Sequence, residues 1–382
     1  MKISFIVPWI TKSRGGTENV GHLMANAMAK KGYEINVYTF DDSKSPSVWP
    51  LADTVKIHYL PQGDNIKASY QMTVALAEDC PDLIVGLHMN QWLLKYAVTA
   101  QKIEVPLVLS EHIDPHFPKR LGVFSEEQRL AAFTGATRIH LLTETFKDAL
   151  PEYLQNKTDV IPNTVMETDQ LCDPRGGGQK KLITVARLVP RKNLSRLIDE
   201  FAIIAGRHPD WVLQILGDGP EMKNLKVRAK DKGVAGQVEF LGHSDSPYSY
   251  LEQAQLFVLP SLFEGFPMSS LEAMAHGMPL VGYAACNGIN EQIVSGVNGL
   301  LAKRSLEAGC LAECLDELMS KDDLREKMGA ASKKRFDKLY SNTTVFDAWE
   351  AIFKTAIQAG PSNINTQIET DAQSEIWQLV NC

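Results

Sequence analysis

Two glutamates, Glu264 and Glu272, flank the short segment Gly265–Met268, with seven residues between them. The pattern predicts a strand that ends at Pro260, a glycine-containing turn, and a helix that opens around Pro267–Ser269. The first N–H groups of a helix have no intrahelical acceptor, so this turn can bind an anion. Carboxylates on either side can accept hydrogen bonds from hydroxyls at both ends of a sugar diphosphate. A loop charge at Glu264 and a solvated helix residue at Glu272 are the alternative interpretation.

Two basic residues, Arg187 and Lys192, form the second candidate group. Arg187 comes just after a predicted strand, and Lys192 stands at the start of a predicted helix. A departing nucleoside diphosphate leaves negative charge on its phosphate oxygens, and two fixed cations can stabilise that charge more in the transition state than in the ground state. Basic residues near a helix start are otherwise often only surface residues.

A histidine and a pair of glycines are the candidates in the first half of the chain. His112 follows the predicted strand Pro106–Leu109 and would project at the carboxyl end of a sheet, where α/β proteins bind ligands. A lone histidine is more often structural. Gly15 and Gly16 either let the backbone approach a ligand or form a tight strand-to-helix turn. Their loop lacks the Gly-x-Gly-x-x-Gly fingerprint of dinucleotide-binding oxidoreductases.

These residues are separated by short apolar runs that alternate with segments of helical period, which indicates parallel sheets covered by helices. Six runs in the first half and five in the second predict strands: Ile3–Val7, Ile35–Thr39, Leu83–Leu87, Leu107–Leu109, Ile139–Leu142, Asp159–Ile161, Leu182–Ala186, Val212–Leu216, Val238–Leu241, Leu256–Leu259 and Leu280–Tyr283. The predicted fold class is therefore α/β, with two Rossmann-like, doubly wound domains facing a cleft.

The domain boundary is predicted from a glycine-rich stretch. Three consecutive glycines follow Pro174 and cannot pack a core, so we expect a linker there. The expected division is an N-terminal domain over 1–170, a linker over 171–180, a C-terminal domain over 181–343, and a segment over 344–382 whose helix crosses back to the first domain. Residues 360–382 are polar, and the stretch Asp371–Val380 forms either one more helix or part of a disordered tail.

Composition excludes several classes of protein. The chain has 382 residues, enough for two domains with buried cores, and its formal charge of −7 argues against a general nucleic-acid binder. The six cysteines include no Cys-x-x-Cys pair, which is typical of free thiols in a reducing cytosol. No apolar run approaches the roughly 20 residues of a membrane-spanning helix. We therefore expect a cytoplasmic protein.

The segment from Leu259 to Gly277 resembles the Glu-x7-Glu signature of retaining glycosyltransferases of the GT-B fold, in the large family four group (glycosyl transferases group 1) that includes bacterial glycan-assembly enzymes. The likeness continues through Gly277–Val281 and Asn287–Gly288, and the two-domain pattern covers most of the chain. Thr184–Asn193 also resembles this family, although Ala186 stands where the family usually has glycine.

The resemblance implies a role for each candidate residue. It makes the C-terminal domain the nucleotide-sugar-binding domain, and the N-terminal domain the one that supplies His112 and the acceptor surface. Glu272 would bind the ribose hydroxyls, Arg187 and Lys192 the diphosphate, and Glu264 the donor sugar. Further donor contacts are expected from Gly15, Gly16, Gly265, Phe266, Pro267 and Met268, and the catalytic group from His112, Arg187, Lys192 and Glu264.

The expected activity is retaining transfer of a hexose or N-acetylhexosamine, from a nucleotide-diphosphate sugar that is UDP-linked by family likeness, to a saccharide or lipid-linked acceptor. No acidic or histidine cluster has metal-ligand spacing, so we expect no metal or other cofactor. The loop His116–Phe124 mixes apolar and basic residues and either touches the inner face of the membrane or packs as an ordinary loop. A nucleotide-sugar epimerase of the same fold and a non-catalytic partner subunit remain alternatives.

Overall fold

The computed structural model describes residues 1–11, 15–41, 45, 47–61, 66–87, 92–115, 124–303 and 307–362, and the chain divides into two compact units. The first unit comprises Met1–Pro162 together with the chain from Val345 onward, and the second comprises Asn163–Thr344.

The described residues of the first unit contain a parallel sheet of seven strands, and five of them are buried apolar runs of the kind expected for strands covered on both faces. The strands are β1 (Lys2–Ile6), β2 (Glu34–Thr39), β3 (Lys56–Tyr59), β4 (Leu83–Leu87), β5 (Leu107–Ser110), β6 (Arg138–Leu141) and β7 (Thr158–Val160). The order across the sheet is β3-β2-β1-β4-β5-β6-β7, so the winding direction reverses between β1 and β4. The helices between these strands are α1 (Gly16–Lys30), α2 (Ile66–Asp79), α3 (Leu93–Lys102), α4 (Glu126–Thr134), α5 (Glu144–Asp148) and α6 (Glu152–Gln155).

The second unit repeats this arrangement with six described parallel strands. They are β8 (Lys180–Val185), β9 (Trp211–Leu216), β10 (Val238–Gly242), β11 (Leu256–Leu259), β12 (Leu280–Tyr283) and β13 (Gly299–Ala302). The order is β10-β9-β8-β11-β12-β13, and the winding reverses between β8 and β11. The helices are α7 (Leu194–Ile204), α8 (Met222–Asp231), α9 (Tyr248–Leu251), α10 (Met268–Ala275), α11 (Ile289–Gln292), α12 (Cys310–Ser320) and α13 (Asp322–Leu339). The predicted fold class, two doubly wound Rossmann-like domains, is confirmed.

The last described helix, α14 (Asn342–Ala359), completes the first unit. Its apolar residues recur at helical spacing, and Trp349 and Phe353 are buried. The Trp349 ring lies 4.2 Å from the His140 ring of β6, and the Phe353 ring lies 6.0 Å from the Phe5 ring of β1, between ring centroids. The helix therefore packs on the sheet built from the beginning of the chain.

The structure differs from the predicted linker over 171–180. These residues belong to the second unit, which begins at Asn163 rather than after residue 170. Cys172 donates its backbone N–H to the carbonyl oxygen of His276 at 2.9 Å, and the fully buried Arg325 donates from Nε to the Pro174 carbonyl at 2.7 Å. A buried guanidinium needs acceptors, and the backbone beside the glycines supplies one, so this stretch is packed against the unit.

Two edge strands, β3 and β13, are absent from the predicted set. The residues of β3 are exposed or half-buried because an edge strand is covered less than a central one, and its sequence Lys-Ile-His-Tyr carries no apolar run. The predicted helix or disordered tail at Asp371–Val380 and residues 116–123 of the predicted membrane-facing loop lie outside the described residues.

Candidate active site

The centre of the site is an ion pair between the loops that follow β8 and β11. Lys192 Nζ lies 2.5 Å from Glu264 Oε1, and Arg191 Nη1 lies 3.0 Å from Glu264 Oε2. Because β8 and β11 are hydrogen-bonded neighbours, their carboxyl ends open side by side. The point where the winding reverses is where open α/β sheets bind ligands. The fold thus brings together residues that are 72 positions apart in the sequence.

Two hydrogen bonds, one of them from a side chain, join these two loops. Leu262 donates its N–H to the Arg191 carbonyl at 3.0 Å, and the Asn193 side-chain amide donates to the Pro260 carbonyl at 3.2 Å. Asn193 itself adopts a left-handed conformation with φ of 56°, which asparagine tolerates better than most residues. It separates the short 3₁₀ turn Pro190–Lys192 from α7.

Lys192 and Glu264 are both buried, at 8% and 7% exposure. Burial would raise the pKa of the Glu264 carboxyl, but the charges of Lys192 and Arg191 outweigh it and hold the pKa below the usual value. Burial lowers the pKa of Lys192, and the attraction of Glu264 offsets only part of that effect. The pair is therefore a desolvated, ionised cluster whose members support each other's charge.

Arg187 differs from Lys192 in being exposed, two residues past the end of β8. Among the described residues its side chain has no hydrogen-bond or ion-pair partner. The backbone beneath it is closely packed, because a Cβ atom at Gly217 would lie 2.0 Å from the Ala186 carbonyl oxygen. A rigid backbone therefore carries a guanidinium that is available to a ligand.

The turn predicted before α10 is present. The helix begins at Met268, and its N-cap residue Pro267 provides no side-chain cap, so the first-turn N–H groups lack an acceptor from this residue. Gly288, at φ of 82°, packs against the turn so closely that a Cβ there would lie 2.4 Å from the Gly265 carbonyl oxygen. Phe266 is buried against the Tyr340 ring, 5.5 Å between centroids. The amides of the turn are thus fixed by packing on both sides.

Glu272 lies on α10 and is half-buried. Its carboxylate makes no ion pair or side-chain hydrogen bond with any residue that the structure describes. Burial without a compensating partner raises the pKa of Glu272 from 4.5 to about 8. A carboxyl group in this state gains from hydroxyl donors that a ligand would bring.

The remaining candidates lie in the first unit. His112 follows β5 and its Nε2 lies 2.6 Å from the hydroxyl oxygen of Ser110. Gly15 is the N-cap residue of α1, and Gly16 is the first residue of that helix. A Cβ at Gly15 would lie 2.3 Å from Glu18 Oε2, so a side chain there would have to displace the glutamate.

The structure thus places Arg187, Lys192, Glu264, Glu272 and the turn between the two glutamates in the second unit. Sequence reasoning gave Arg191 no role, although it directly precedes Lys192 and shares its carboxylate partner. Its position beside Lys192 in the segment Thr184–Asn193 was the signal from which a role for Arg191 could have been predicted. Two further polar residues, Ser110 and His140, were also missed because nothing in a single sequence shows that they contact His112.

Within the described residues, no group of three or more His, Cys, Asp or Glu side chains is arranged to hold a metal ion. Of the helices described here, none has the length and apolar character required to cross a bilayer.

Comparison with known proteins agrees with this architecture. Residues 14–167 match the family model described as Glycosyltransferase Family 4, and residues 173–335 match the one described as Glycosyl transferases group 1. The structure of Anabaena HepE in complex with UDP superposes with a TM-score of 0.75 at 19% identity, covering 93% of this chain and 100% of that one. The fold is therefore the GT-B fold of glycosyltransferases.

Curated relatives extend the likeness over nearly the whole chain. An uncharacterized glycosyltransferase of Haemophilus influenzae is 26% identical over 92% of this chain and 99% of its own length. The lipopolysaccharide 1,6-galactosyltransferase of Salmonella typhimurium is 25% identical over 79% of this chain and 85% of its own length. This chain belongs to the group 1 glycosyltransferases of the GT-B fold, as the two family-model matches, which together cover most of the chain, show. The epimerase and the non-catalytic subunit are not favoured.

Proposed function

We propose that this protein transfers a hexose or N-acetylhexosamine from a UDP-linked donor to a saccharide or lipid-linked glycan, with retention of anomeric configuration, in bacterial-type polysaccharide or glycoconjugate assembly. The observation that carries the proposal is the Lys192–Glu264–Arg191 cluster, with Lys192 and Glu264 buried, beside the start of α10, which has no side-chain cap from Pro267. The UDP complex of HepE and the lipopolysaccharide relative support the choice of donor and acceptor.

In this proposal, Arg187 and Lys192 bind the diphosphate. Breaking the bond between the sugar and the diphosphate leaves charge on the departing oxygens. Lys192 is already held in place by Glu264, so it can stabilise that charge without reorganising during the reaction. Arg187, which is exposed, would close onto the phosphates when the donor binds. The two cations and the helix N-terminus take the part that a divalent metal plays in other transferases, so we propose metal-independent transfer.

The two glutamates bind the ends of the donor. Glu272 accepts hydrogen bonds from the ribose hydroxyls, which supply the partners that its half-buried carboxylate lacks among the described residues. Glu264 and the backbone of Gly265–Met268 contact the donor sugar, and the rigid turn fixes the position of that sugar. Glu264 therefore has two tasks in the proposal, since it also neutralises and orients Lys192.

The first unit contributes the remaining groups of the proposal. His112 contacts the donor sugar and supports the reaction, while Gly15 and Gly16 border the donor phosphates and the acceptor. These assignments follow the family resemblance, and their positions at the carboxyl end of β5 and at the start of α1 are consistent with it.

The test is turnover with a panel of nucleotide sugars that includes UDP-glucose, UDP-galactose, UDP-N-acetylglucosamine and GDP-mannose. With the donor that the wild type uses, Arg187→Ala should lower turnover about 100-fold or more, since it removes one stabilising donor from the transition state. The matched control is Arg207→Ala, which removes an exposed arginine of the same unit and should change turnover little.

Three readouts on the same reaction complete the test. The anomeric configuration of the product, determined by NMR, should equal that of the donor, and an inverted product would contradict the retaining assignment. EDTA should leave turnover unchanged. Conversion of the donor to another sugar nucleotide in the absence of acceptor would support the epimerase instead.

A further inference from the structure

Three polar side chains of the first unit form a continuous hydrogen-bonded chain that ends on the backbone. His112 Nε2 lies 2.6 Å from Ser110 Oγ, Ser110 Oγ lies 2.7 Å from His140 Nδ1, and His140 Nε2 lies 2.7 Å from the Ile161 carbonyl oxygen. The sheet register explains the contact between Ser110 and His140, because Ser110 of β5 lies directly opposite His140 of β6. Ser110 and His140 are fully buried.

The position of each proton in this hydrogen-bonded chain can be worked out from its last acceptor, the Ile161 carbonyl. A carbonyl oxygen can only accept, so His140 Nε2 carries a proton and donates it to Ile161. Burial and the neighbouring His112 ring hold the pKa of His140 well below its usual value, so the ring is neutral and Nδ1 has a lone pair. The single hydroxyl proton of Ser110 therefore points to His140 Nδ1. Ser110 Oγ is left to accept, and only a proton on His112 Nε2 can fill that bond.

The segment that carries His112 is fixed from two further directions. Glu111, fully buried, accepts two hydrogen bonds from Arg129 of α4, from Nε at 2.8 Å and from Nη2 at 2.6 Å. Its backbone N–H also donates to the His140 carbonyl at 3.1 Å. On the other side, the Trp349 ring of α14 packs 4.2 Å from the His140 ring and keeps it in place. The hydrogen-bonded chain is thus a rigid support for the His112 ring and not a chance contact at the surface.

We propose that Ser110 and His140 are positioning residues that hold the His112 ring in one orientation and in the tautomer protonated at Nε2. The inference rests on the proposed function of His112 in sugar transfer. It predicts that a neutral His112 always carries its lone pair on Nδ1, so the nitrogen that can accept a proton is chosen by two residues that do not touch the substrate.

The tautomer can be measured without any substrate. In the full chain labelled with ¹⁵N-histidine, the His112 signals are assigned by their loss in His112→Gln, at a pH where the ring is neutral. The expected wild-type pattern has a protonated Nε2 and an unprotonated Nδ1. In His140→Phe, which keeps a ring against Trp349, the Ser110 hydroxyl loses its acceptor and can turn toward His112, so the population protonated at Nδ1 should rise.

The consequence for catalysis is measured with Ser110→Ala. Losing one positioning hydrogen bond should lower kcat about tenfold, while KM for the donor changes less than about twofold. Ser110→Thr keeps a hydroxyl and should recover part of the loss. Ser4→Ala is the matched control, since Ser4 is an equally buried serine of the same sheet that bonds to Asp79 and lies away from His112.

Two results would overturn the inference. One is a wild-type His112 protonated at Nδ1; the other is a kcat for Ser110→Ala equal to that of Ser4→Ala. A separate result, unchanged turnover in His112→Gln, would remove the proposed role of His112 in transfer while the NMR data still decide whether the hydrogen-bonded chain exists. Melting temperatures of all variants show whether a loss of activity reflects unfolding.

Discussion

At the scale of single residues, the buried Lys192–Glu264 pair contributes to the stability of the fold, and in the proposal it also contributes to sugar transfer. Two buried charges support each other, and removing Glu264 leaves Lys192 desolvated and unpaired, which costs about 3–5 kcal/mol, whereas removing Lys192 leaves Glu264 its ion pair with Arg191. Replacing both by neutral residues of similar size is often close to neutral for stability. Stability and activity should therefore respond differently to single and double substitutions at these positions.

We predict that Glu264→Gln lowers the free energy of unfolding by about 3–5 kcal/mol, and that the double variant with Lys192→Met recovers most of this loss. Lys192→Met alone should cost less, because Glu264 keeps its ion pair with Arg191. Turnover should not recover in the double variant, since it lacks the cation proposed for the diphosphate. Urea unfolding and donor turnover measure the two properties. A double variant that regains activity would show that Lys192 serves only the fold.

The raised pKa of Glu272 predicts how the stability of the folded protein depends on pH. Its pKa is raised from 4.5 to about 8 in the folded protein, so the folded state holds a proton that the unfolded state releases between these values. This contribution to stability is complete below pH 4.5 and is lost as the pH rises toward 8. The melting temperature of the wild type, relative to that of Glu272→Gln, should therefore fall between pH 5 and about 8.5.

The same shift affects nucleotide binding. Ribose hydroxyls donate best to an ionised carboxylate, so UDP binding should release a proton and strengthen from pH 6 to about pH 9. Calorimetry in buffers of different ionisation enthalpy measures the released proton. Glu272→Gln should bind UDP more weakly, without that pH dependence; an equally steep dependence in the variant would assign the proton to another group.

At the scale of elements, the site depends on two loops from adjacent strands and on the turn that opens α10. Gly288 presses on this turn from the start of α11, and its positive φ makes it the residue that only glycine fits well. The position of the donor sugar in the proposal therefore depends on a contact between two short backbone segments as well as on the Glu264 side chain.

Gly288→Ala should lower turnover at least about tenfold more than Gly296→Ala. Both residues have nearly the same positive φ, 82° and 84°, a value that disfavours any side chain. A methyl group at 288 would lie 2.4 Å from the Gly265 carbonyl and must displace the turn, whereas nothing lies within 4 Å of a methyl group at 296. Equal losses in the two variants would mean that the turn does not position the donor.

At the scale of the whole molecule, the chain builds its first unit from both of its ends. Helix α14 lies more than 180 residues after the last strand of that unit, yet Trp349 packs against His140 of the sheet and against Phe353. The first unit therefore needs the end of the described chain for its core, and the polar chain that supports His112 depends on the same helix.

Trp349→Ala should destabilise the first unit by about 3–5 kcal/mol, because it removes a large buried ring. Hydrogen exchange measured by mass spectrometry should show lost protection in peptides of residues 1–162 and smaller changes in peptides of 163–344. Lys354→Ala, at an exposed position of the same helix, is the control and should change stability by less than about 0.5 kcal/mol. Uniform loss of protection would show that the units unfold together.

Much of the fold was predictable, because buried parallel strands leave apolar runs and covering helices leave a period of 3.6 residues. All eleven predicted strands overlap strands of the structure. The edge strand β3 was missed because its partly exposed residues form no apolar run, whereas β13 was missed although its sequence Gly-Leu-Leu-Ala is apolar. The linker was misplaced because a glycine-rich sequence does not show that the neighbouring backbone packs on Arg325. The candidate site residues of the second unit were predicted from motifs that combine residue type with spacing, and the structure brings Lys192 and Glu264 together.

The sequence by itself determined the α/β class, the division into two halves and the kind of residue that stands after each strand, because these are properties of local periodicity and composition. Only the tertiary structure decided which of those residues meet. The pairing of β8 with β11 joins Lys192 to Glu264, and the pairing of β5 with β6 joins Ser110 to His140. Strand order is set by packing of the whole sheet, and no local segment carries that information.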